Sequence, residues 1–521
     1  MKFPDLRIAR QDQDQENRSS LPLHISLQGL LEQAAGYGIG AVINRVLGIA
    51  VACVYPMLLS KEEYGRLDVV FSLAGLISLI LSLGMDAALS RFYYEHNDTA
   101  QRRGLVSAVF YSVGGFAVFA SVMLFWSSKP LALWLYADPR YIPYLRLALV
   151  GIPFGVAQSI QLAVLRLERR IKIFNLIMAA NLAIAAVLGI SSILSFKIGA
   201  AGVLIGFTGA NIATFVAGAW ILRSELASAP LGGQMKKMLG IGVPLVFSGC
   251  ILWLIGYVNR PILVHRVSAD DLGLYAIASG GVGMLGLLIG AFRNAWQPFS
   301  FSIMGRKGSE AIYGHALTLF TAVAATIGVM GSLFAPQILL VINLYTHKNW
   351  SAAAHVIGPL ALGTVFAAMY FVVQTGAYII RRTSVLAITM GIAAFVNIFF
   401  NFLLIPRLGI LGAAIATAIG YLTALVSLYI VLQRLAPIPY RPGKLAIILG
   451  SALIVIVLGS LIHAEPIGRD VATRFLILAS FCGSLLVSRA ITSDDLAIFV
   501  SIKRRGRKAG NETGRVPKGS S

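Results

Sequence analysis

Charge is scarce in this chain. Only 12% of its 521 residues are Asp, Glu, Lys or Arg, while 57% are hydrophobic. A soluble protein carries about twice that charged fraction, so a water-solvated globular fold is excluded. Cysteine and histidine are scarce too. Cys53, Cys250 and Cys482 fall inside apolar runs without metal or disulfide spacing, and read as small packing residues. The seven His residues form no metal pattern. No Walker-type phosphate loop occurs, so the chain does not hydrolyse ATP by that route. Gly281-Val282-Gly283-Met284-Leu285-Gly286 matches a dinucleotide loop by letter only, because no strand precedes it and the run around it is apolar. No polar stretch is long enough to bury a core of its own. An enzyme is not expected, nor is a resident cofactor or metal.

Long apolar runs are what the chain has. About fourteen of them, each of roughly 20 residues, are long enough to cross a bilayer as helices. They lie near 33–58, 67–90, 104–127, 142–165, 171–196, 199–222, 240–260, 272–294, 311–342, 352–379, 384–405, 409–433, 444–463 and 471–490. Pro336 is expected to end the ninth. The fold class is therefore an all-α polytopic membrane protein. The net charge of +21 fits this class better than nucleic-acid binding. Roughly thirty Lys and Arg residues sit in one alternating set of loops and roughly a dozen in the other. That bias places both termini in the cytoplasm of an inner-membrane protein, which needs an even number of spans. Residues 1–28 are polar, with Asp12, Asp14 and Glu16 where a signal peptide needs an apolar core. The run Lys503 to Lys508 reads as a cytoplasmic end lying near anionic headgroups.

The runs are duplicated. Arg169-Arg170 opens one that ends at Lys197-Ile198-Gly199, with Gly202 following. Arg381-Arg382 opens another that ends at Arg407-Leu408-Gly409, with Gly412 following. Upstream, Ser60-Lys61-Glu62-Glu63-Tyr64-Gly65 is echoed by Ser268-Ala269-Asp270-Asp271-Leu272-Gly273. Two parallel repeats of six spans follow, with the substrate site expected between them, as in many secondary transporters. The expected organisation is a segment 1–32, an N-lobe 33–222, a linker 223–239, a C-lobe 240–433, two added spans within 434–490 and a basic tail 491–521.

Ionisable groups inside spans cost about 2.5–3.5 kcal/mol each to insert at the helix centre, so they mark the candidate site. Arg45 stands deep in span 1 beside Asn44. Asp86 and Arg91 lie toward the inner end of span 2. Arg260 lies toward the outer end of span 7, and Arg293 closes span 8. Guanidinium forks around a cavity suit a phosphate-bearing anion. Structural alternatives stand beside each: an ion pair for Arg45, snorkelling for Arg91, Arg260 and Arg293, and pairing with Arg91 for Asp86. A role in proton or monovalent-cation coupling is also open for Asp86. Gln158, Gln161, Tyr370, Gln374, Asn397 and Asn401 are polar spots on spans 4, 10 and 11. Helix gluing is their plainer role, and sugar contact the functional one.

Asn44-Arg45-Val46-Leu47-Gly48, Leu59-Ser60-Lys61-Glu62-Glu63-Tyr64-Gly65 and Leu83-Gly84-Met85-Asp86-Ala87-Ala88-Leu89-Ser90-Arg91-Phe92 resemble the polysaccharide biosynthesis flippases. Ala295-Trp296-Gln297-Pro298-Phe299 adds to the resemblance, which covers spans 1–12. These flippases belong to the multidrug, oligosaccharidyl-lipid and polysaccharide exporter superfamily. The resemblance implies a V-shaped pair of lobes around a cationic cavity. It implies a polyprenyl-pyrophosphate-linked oligosaccharide as cargo, membrane lipid as surroundings, and a polymerase and chain-length regulator as pathway partners. Arg45 matches the span 1 arginine of related lipid II flippases. The arginine those carry in the first half of span 8 has no counterpart in Ala276 to Gly286, which favours a different sugar lipid for an exopolysaccharide, capsule or O-antigen. The resemblance also implies a lipid-tail groove at spans 13 and 14. The rival readings are a cation-coupled drug exporter of the same superfamily and a membrane polymerase or ligase.

Overall fold

In the computed structural model the described residues are 53–96, 98–136, 138–226, 232–304, 308–380, 382–462 and 467–490, with scattered positions between 44 and 51. Arg45 and most of the first expected span lie outside them, as do Pro230 and the basic tail. Among the described residues the chain is helical and has no strand. Eleven helices among these residues are long and apolar enough to cross a membrane.

The first half contains α1 (Lys61–Leu81), α2 (Met85–Phe92), α3 (Thr99–Trp126), α4 (Ser128–Tyr136), α5 (Tyr141–Leu167), α6 (Ile171–Phe196) and α7 (Ala200–Ile221). The second contains α8 (Met235–Tyr257), α9 (Asn259–Val264), α10 (Ala269–Ser302), α11 (Ser309–Thr346), α12 (Ala354–Val373), α13 (Thr375–Ile379) and α14 (Ser384–Leu435). α15 (Pro442–Leu461) and α16 (Ile467–Val487) follow. The 52 residues of α14 hold one non-helical residue, Gly409, so two expected spans appear as one bent helix. At 34 residues, α10 is also of spanning length. The described helices are consistent with fourteen spans.

The echoed segments fold alike. The Ser60 hydroxyl caps α1 by accepting from the Glu63 N–H at 3.2 Å, and the Glu63 carboxylate accepts from the Ser60 N–H at 3.0 Å. Ser268 caps α10 in the same way, accepting from the Asp271 N–H at 3.1 Å. Gly199 turns α6 into α7 with φ 54° and ψ −132°. Gly409 bends α14 with φ 57° and ψ −132°. This left-handed conformation is open to glycine and strained for other residues. Gly202 and Gly412 then let each returning helix pack closely. A Cβ on Gly202 would sit 2.8 Å from Ile193, and one on Gly412 would strike the Leu404 carbonyl.

One expectation fails locally. Pro336 does not end its helix, because α11 continues to Thr346. Proline removes one backbone donor, but buried neighbours such as Leu333, Ala335 and Leu339 hold the surrounding turns in place. The connection between the expected spans 104–127 and 142–165 carries the short helix α4. A third core packs α15 and α16 on α11. Arg474 of α16, 2% exposed, fastens it by donating to the Leu333 carbonyl at 2.6 Å, the Ile462 carbonyl at 3.1 Å and Asp470 at 2.8 Å.

Candidate functional site

The two echoed turns meet each other. α1 and α10 start at the same end of the bundle and cross at Gly65 and Gly273. A Cβ built on Gly65 would come within 2.6 Å of the Gly273 nitrogen, and one on Gly273 would strike the Lys61 carbonyl. Glycine at both positions is what lets the backbones touch. Further contacts join the halves nearby. The Lys348 ammonium donates to the Leu59 carbonyl at 2.6 Å. Burial pulls its pKa below the usual lysine range, with Glu63 partly offsetting that shift. The ring of Tyr64 meets that of fully buried Trp350 edge-on, with centroids 5.9 Å apart. Trp253 of α8 donates its indole N–H to the Ser72 carbonyl at 2.9 Å. These contacts seal the two lobes at this end. At the opposite end Gln234, just before α8, meets His96 at 2.8 Å.

Arg260 belongs to the seal. Its side chain is 5% exposed and donates from Nε to Asp68 Oδ2 at 3.0 Å. Its other nitrogens reach the Gly256 carbonyl, Asn259 Oδ1 and Ser279 Oγ. Its guanidinium stands 4.8 Å from the Tyr257 ring centroid and 5.0 Å from that of Tyr275. This arginine is therefore not snorkelling to a surface, and in this conformation its fork is taken up by protein. Its partner Asp68 is 192 residues away, a pairing without a local sequence signal. Asp68→Asn is expected to lower thermal stability by about 1–3 kcal/mol. Exchanging the two charges should recover most of that loss, as read from the melting of the purified protein. No recovery on exchange would mean that Arg260 is held by its tyrosines and carbonyls rather than by the ion pair.

Beyond the seal lies a cavity of 540 Å³. Its walls come from α1 and α2 (Ser78, Ser82, Asp86), α5 (Gln158, Ser159), α7 (Phe207, Asn211) and α8 (Leu245, Val246), so both halves line it. Its first α1 residue, Gly75, is ten positions beyond Gly65, which is about 15 Å along the helix. The helix breaks here at Leu83 (φ 51°) and Gly84 (φ 63°). The break is possible because Gly242 of α8 lies directly against Gly84, with no room for a Cβ on either. Asp86, in the first turn of α2, faces this space. Its carboxylate makes no ion pair among the described residues, with Arg91 or any other. Gln158 and Asn211 are held by Asn181, which donates to them at 3.5 and 3.1 Å.

The structure thus brings together Asp86 and Gln158 from the candidate residues. Gln161, about one turn along α5, points elsewhere and donates to the Phe215 carbonyl at 3.1 Å. Tyr370 and Asn397 are buried in the second lobe, and Gln374 stands half-buried at the end of α12. Asn397 donates to the Ala416 carbonyl at 3.0 Å and accepts from Asn401 at 3.1 Å, the gluing role. Arg91 is exposed in the last turn of α2, Asn44 is half-buried in the helix before α1, and Arg293 lies on α10 with its side chain outside the described residues. Among the described residues no lysine or arginine lines the cavity. Ser78, Ser82, Ser159 and Asn211 were missed in the sequence, where small polar residues in apolar runs carry no distinct signal. Among the described residues no group of His, Cys, Asp and Glu is arranged to hold a metal ion.

Comparison with known proteins agrees with this architecture. A family model described as "Polysaccharide biosynthesis protein" matches residues 57–353. The Lsg locus putative protein 1 of Haemophilus influenzae is 21% identical over 418 residues, covering 75% of this chain and 97% of that protein. The probable multidrug resistance protein NorM of Geobacillus kaustophilus is 28% identical over 259 residues, covering 43% of this chain and 55% of that protein. Among solved structures, the lipid II flippase MurJ in an inward closed conformation superposes with a TM-score of 0.69 at 16% identity, covering 87% of this chain and 98% of that one. An inward-facing multidrug resistance MATE family transporter superposes with a TM-score of 0.63 at 15% identity, covering 75% and 94%.

Proposed function

This chain belongs to the polysaccharide biosynthesis protein family, and we propose that it flips polyprenyl-pyrophosphate-linked oligosaccharide units across the bacterial inner membrane by alternating access. The observation that carries the transport mechanism is the seal between the lobes at one end, with a polar chamber lined by both lobes about 15 Å further in. An assembly sealed at one face, with a chamber behind it that Gln234 with His96 and Gly84 with Gly242 bridge more lightly at the other, is close to one of the two states an alternating-access cycle needs. Both termini lie in the cytoplasm in this reading, so the sealed end faces outward. The sugar enters the chamber from the cytoplasmic side. Gln158, Asn211 and the serines meet its hydroxyls, a pattern for which neutral amides and hydroxyls are suited. Arg45, Arg91 and Arg293 serve the pyrophosphate. Opening of the Gly65–Gly273 seam, with rupture of the Arg260–Asp68 pair, then exposes the cargo to the outer face. A polymerase and chain-length regulator of the same pathway would take it up.

One observation favours a second reading. The carboxylate of Asp86, with no lysine or arginine beside it among the described lining residues, suits a cation, as a cation-coupled drug exporter would need. Reconstitution into vesicles separates the two. The purified protein should move a fluorescent polyprenyl-pyrophosphate oligosaccharide between leaflets and leave a cationic dye alone. With Asp86→Asn, oligosaccharide transport should lose any dependence on a proton or sodium gradient and persist at a reduced rate. Dye transport that vanishes with Asp86→Asn, without movement of the oligosaccharide lipid, would replace the flippase by the exporter.

A further inference from the structure

The second lobe holds a cavity of its own, and it is unlike the first. Its volume is 250 Å³, and it lies between α10, α11 and α12. Leu285, Ile289, Phe292, Phe320 and Ala324 line it, with Thr364 as the one hydroxyl. That hydroxyl donates to the Leu360 carbonyl at 2.9 Å, so it can only accept from a guest. A buried water needs two to four polar partners, more than this single acceptor supplies among the described lining residues. An apolar cavity of about 150 Å³ in another protein stays dry and takes up benzene; this one is larger. Val323, also in the wall, is 48% exposed on α11. The cavity thus opens at the surface of the second lobe.

We propose that this cavity seats part of the isoprenoid tail of the transported lipid. The inference rests on the flippase reading and adds a place for the tail to it. Three observations select this occupant. The polar chamber belongs mainly to the first lobe and the apolar one wholly to the second, so the two match the two ends of an amphipathic cargo. The cavity is small, and the stacked rings of Phe292 and Phe320 form part of its wall, with Trp296 behind them. Phe292 and Phe320 lie 3.6 Å apart, centroid to centroid, and Phe292 and Trp296 lie 5.8 Å apart. Such a space fits a methyl-branched, kinked chain better than a straight acyl chain. Finally, Phe292 is followed directly in α10 by Arg293, one of the residues assigned to the pyrophosphate, and tail and pyrophosphate are joined covalently. The same helix carries Gly273 at its outer end. Loading the tail therefore acts on the helix that forms the seam.

The test is photolabelling of the full-length protein in phospholipid nanodiscs. One probe is a polyprenyl phosphate bearing a diazirine in its chain, and the other a phosphatidylethanolamine bearing a diazirine in an acyl chain. The prenyl probe should attach to peptides of α10 to α12. Filling the cavity with Ala324→Leu and Thr364→Leu together should cut that adduct roughly tenfold, at unchanged protein yield and melting temperature. Single substitutions serve if the pair does not fold. No prenyl adduct in these helices, or equal labelling there by the phospholipid probe, would overturn the proposal. Neither probe carries sugar and neither readout is transport, so this result is independent of the flippase assay. Flipping without prenyl labelling at α10 to α12 would remove the tail site alone.

Discussion

Gly65→Val is expected to stop transport while the protein remains in the membrane at normal abundance. Any Cβ at this position falls within 2.6 Å of the Gly273 nitrogen and 2.8 Å of the Leu272 carbonyl carbon. Both are backbone atoms, so no side chain can swing away. The helices must part, and the surrounding contacts of Tyr64 with Trp350 and of Lys348 with Leu59 part with them. A penalty of about 3 kcal/mol on the sealed state lowers its population relative to the open one by roughly a hundredfold. The cycle then stalls with the outer face open. The yield of surface polymer in a deletion strain measures the loss. A membrane-impermeant thiol reagent measures the cause, because Leu272→Cys is buried in the sealed seam (Leu272 is 2% exposed) and becomes reactive when the seam opens. Normal polymer yield from Gly65→Val would show that the seam is not part of the transport cycle.

Arg45 gives the second large effect. This residue lies outside the described part of the structure, and its role is proposed from its depth in the first span. Arg45→Glu is expected to be nearly inactive, since a carboxylate there repels the pyrophosphate. Arg45→Ala removes a charge-assisted contact of about 1.5–3 kcal/mol, which is roughly a ten- to hundredfold fall in transport. Arg45→Lys keeps the charge but loses the two-pronged geometry and should fall between Ala and the parent. Polymer yield is again the readout, normalised to the amount of each variant in the membrane. Parental transport by Arg45→Ala at normal abundance would remove this arginine from the mechanism.

The helical architecture could be read from the sequence because its signals are local. A run of about 20 apolar residues needs no partner to be recognised. Ser60 with Glu63, and Ser268 with Asp271, announce their helix starts within four residues. Pro336 misled because a proline's missing donor ends a helix only where no packing compensates. The candidate site was less legible. Asp86 and Gln158 do share a chamber, and their polarity inside apolar runs marked them. Arg260 stands out in the sequence as a costly charge, but what compensates it is Asp68, on a helix from the other half of the chain. The difference between the two chambers was not visible either. It depends on which faces of α5, α7 and α8 converge in one lobe and of α10, α11 and α12 in the other, and a helix of nearly uniform hydropathy does not show its inward face.

The matched turns at Gly199 and Gly409 have a consequence for inheritance. With φ near +55° and ψ at −132° in both, neither position accepts an ordinary side chain without strain. A survey of every single substitution should therefore show two sharply intolerant positions 210 residues apart, amid apolar neighbours that exchange Leu, Ile and Val with little effect. The ancestral doubling of this chain would then be legible in its pattern of lethal variants, even where drift has erased the resemblance between the two halves.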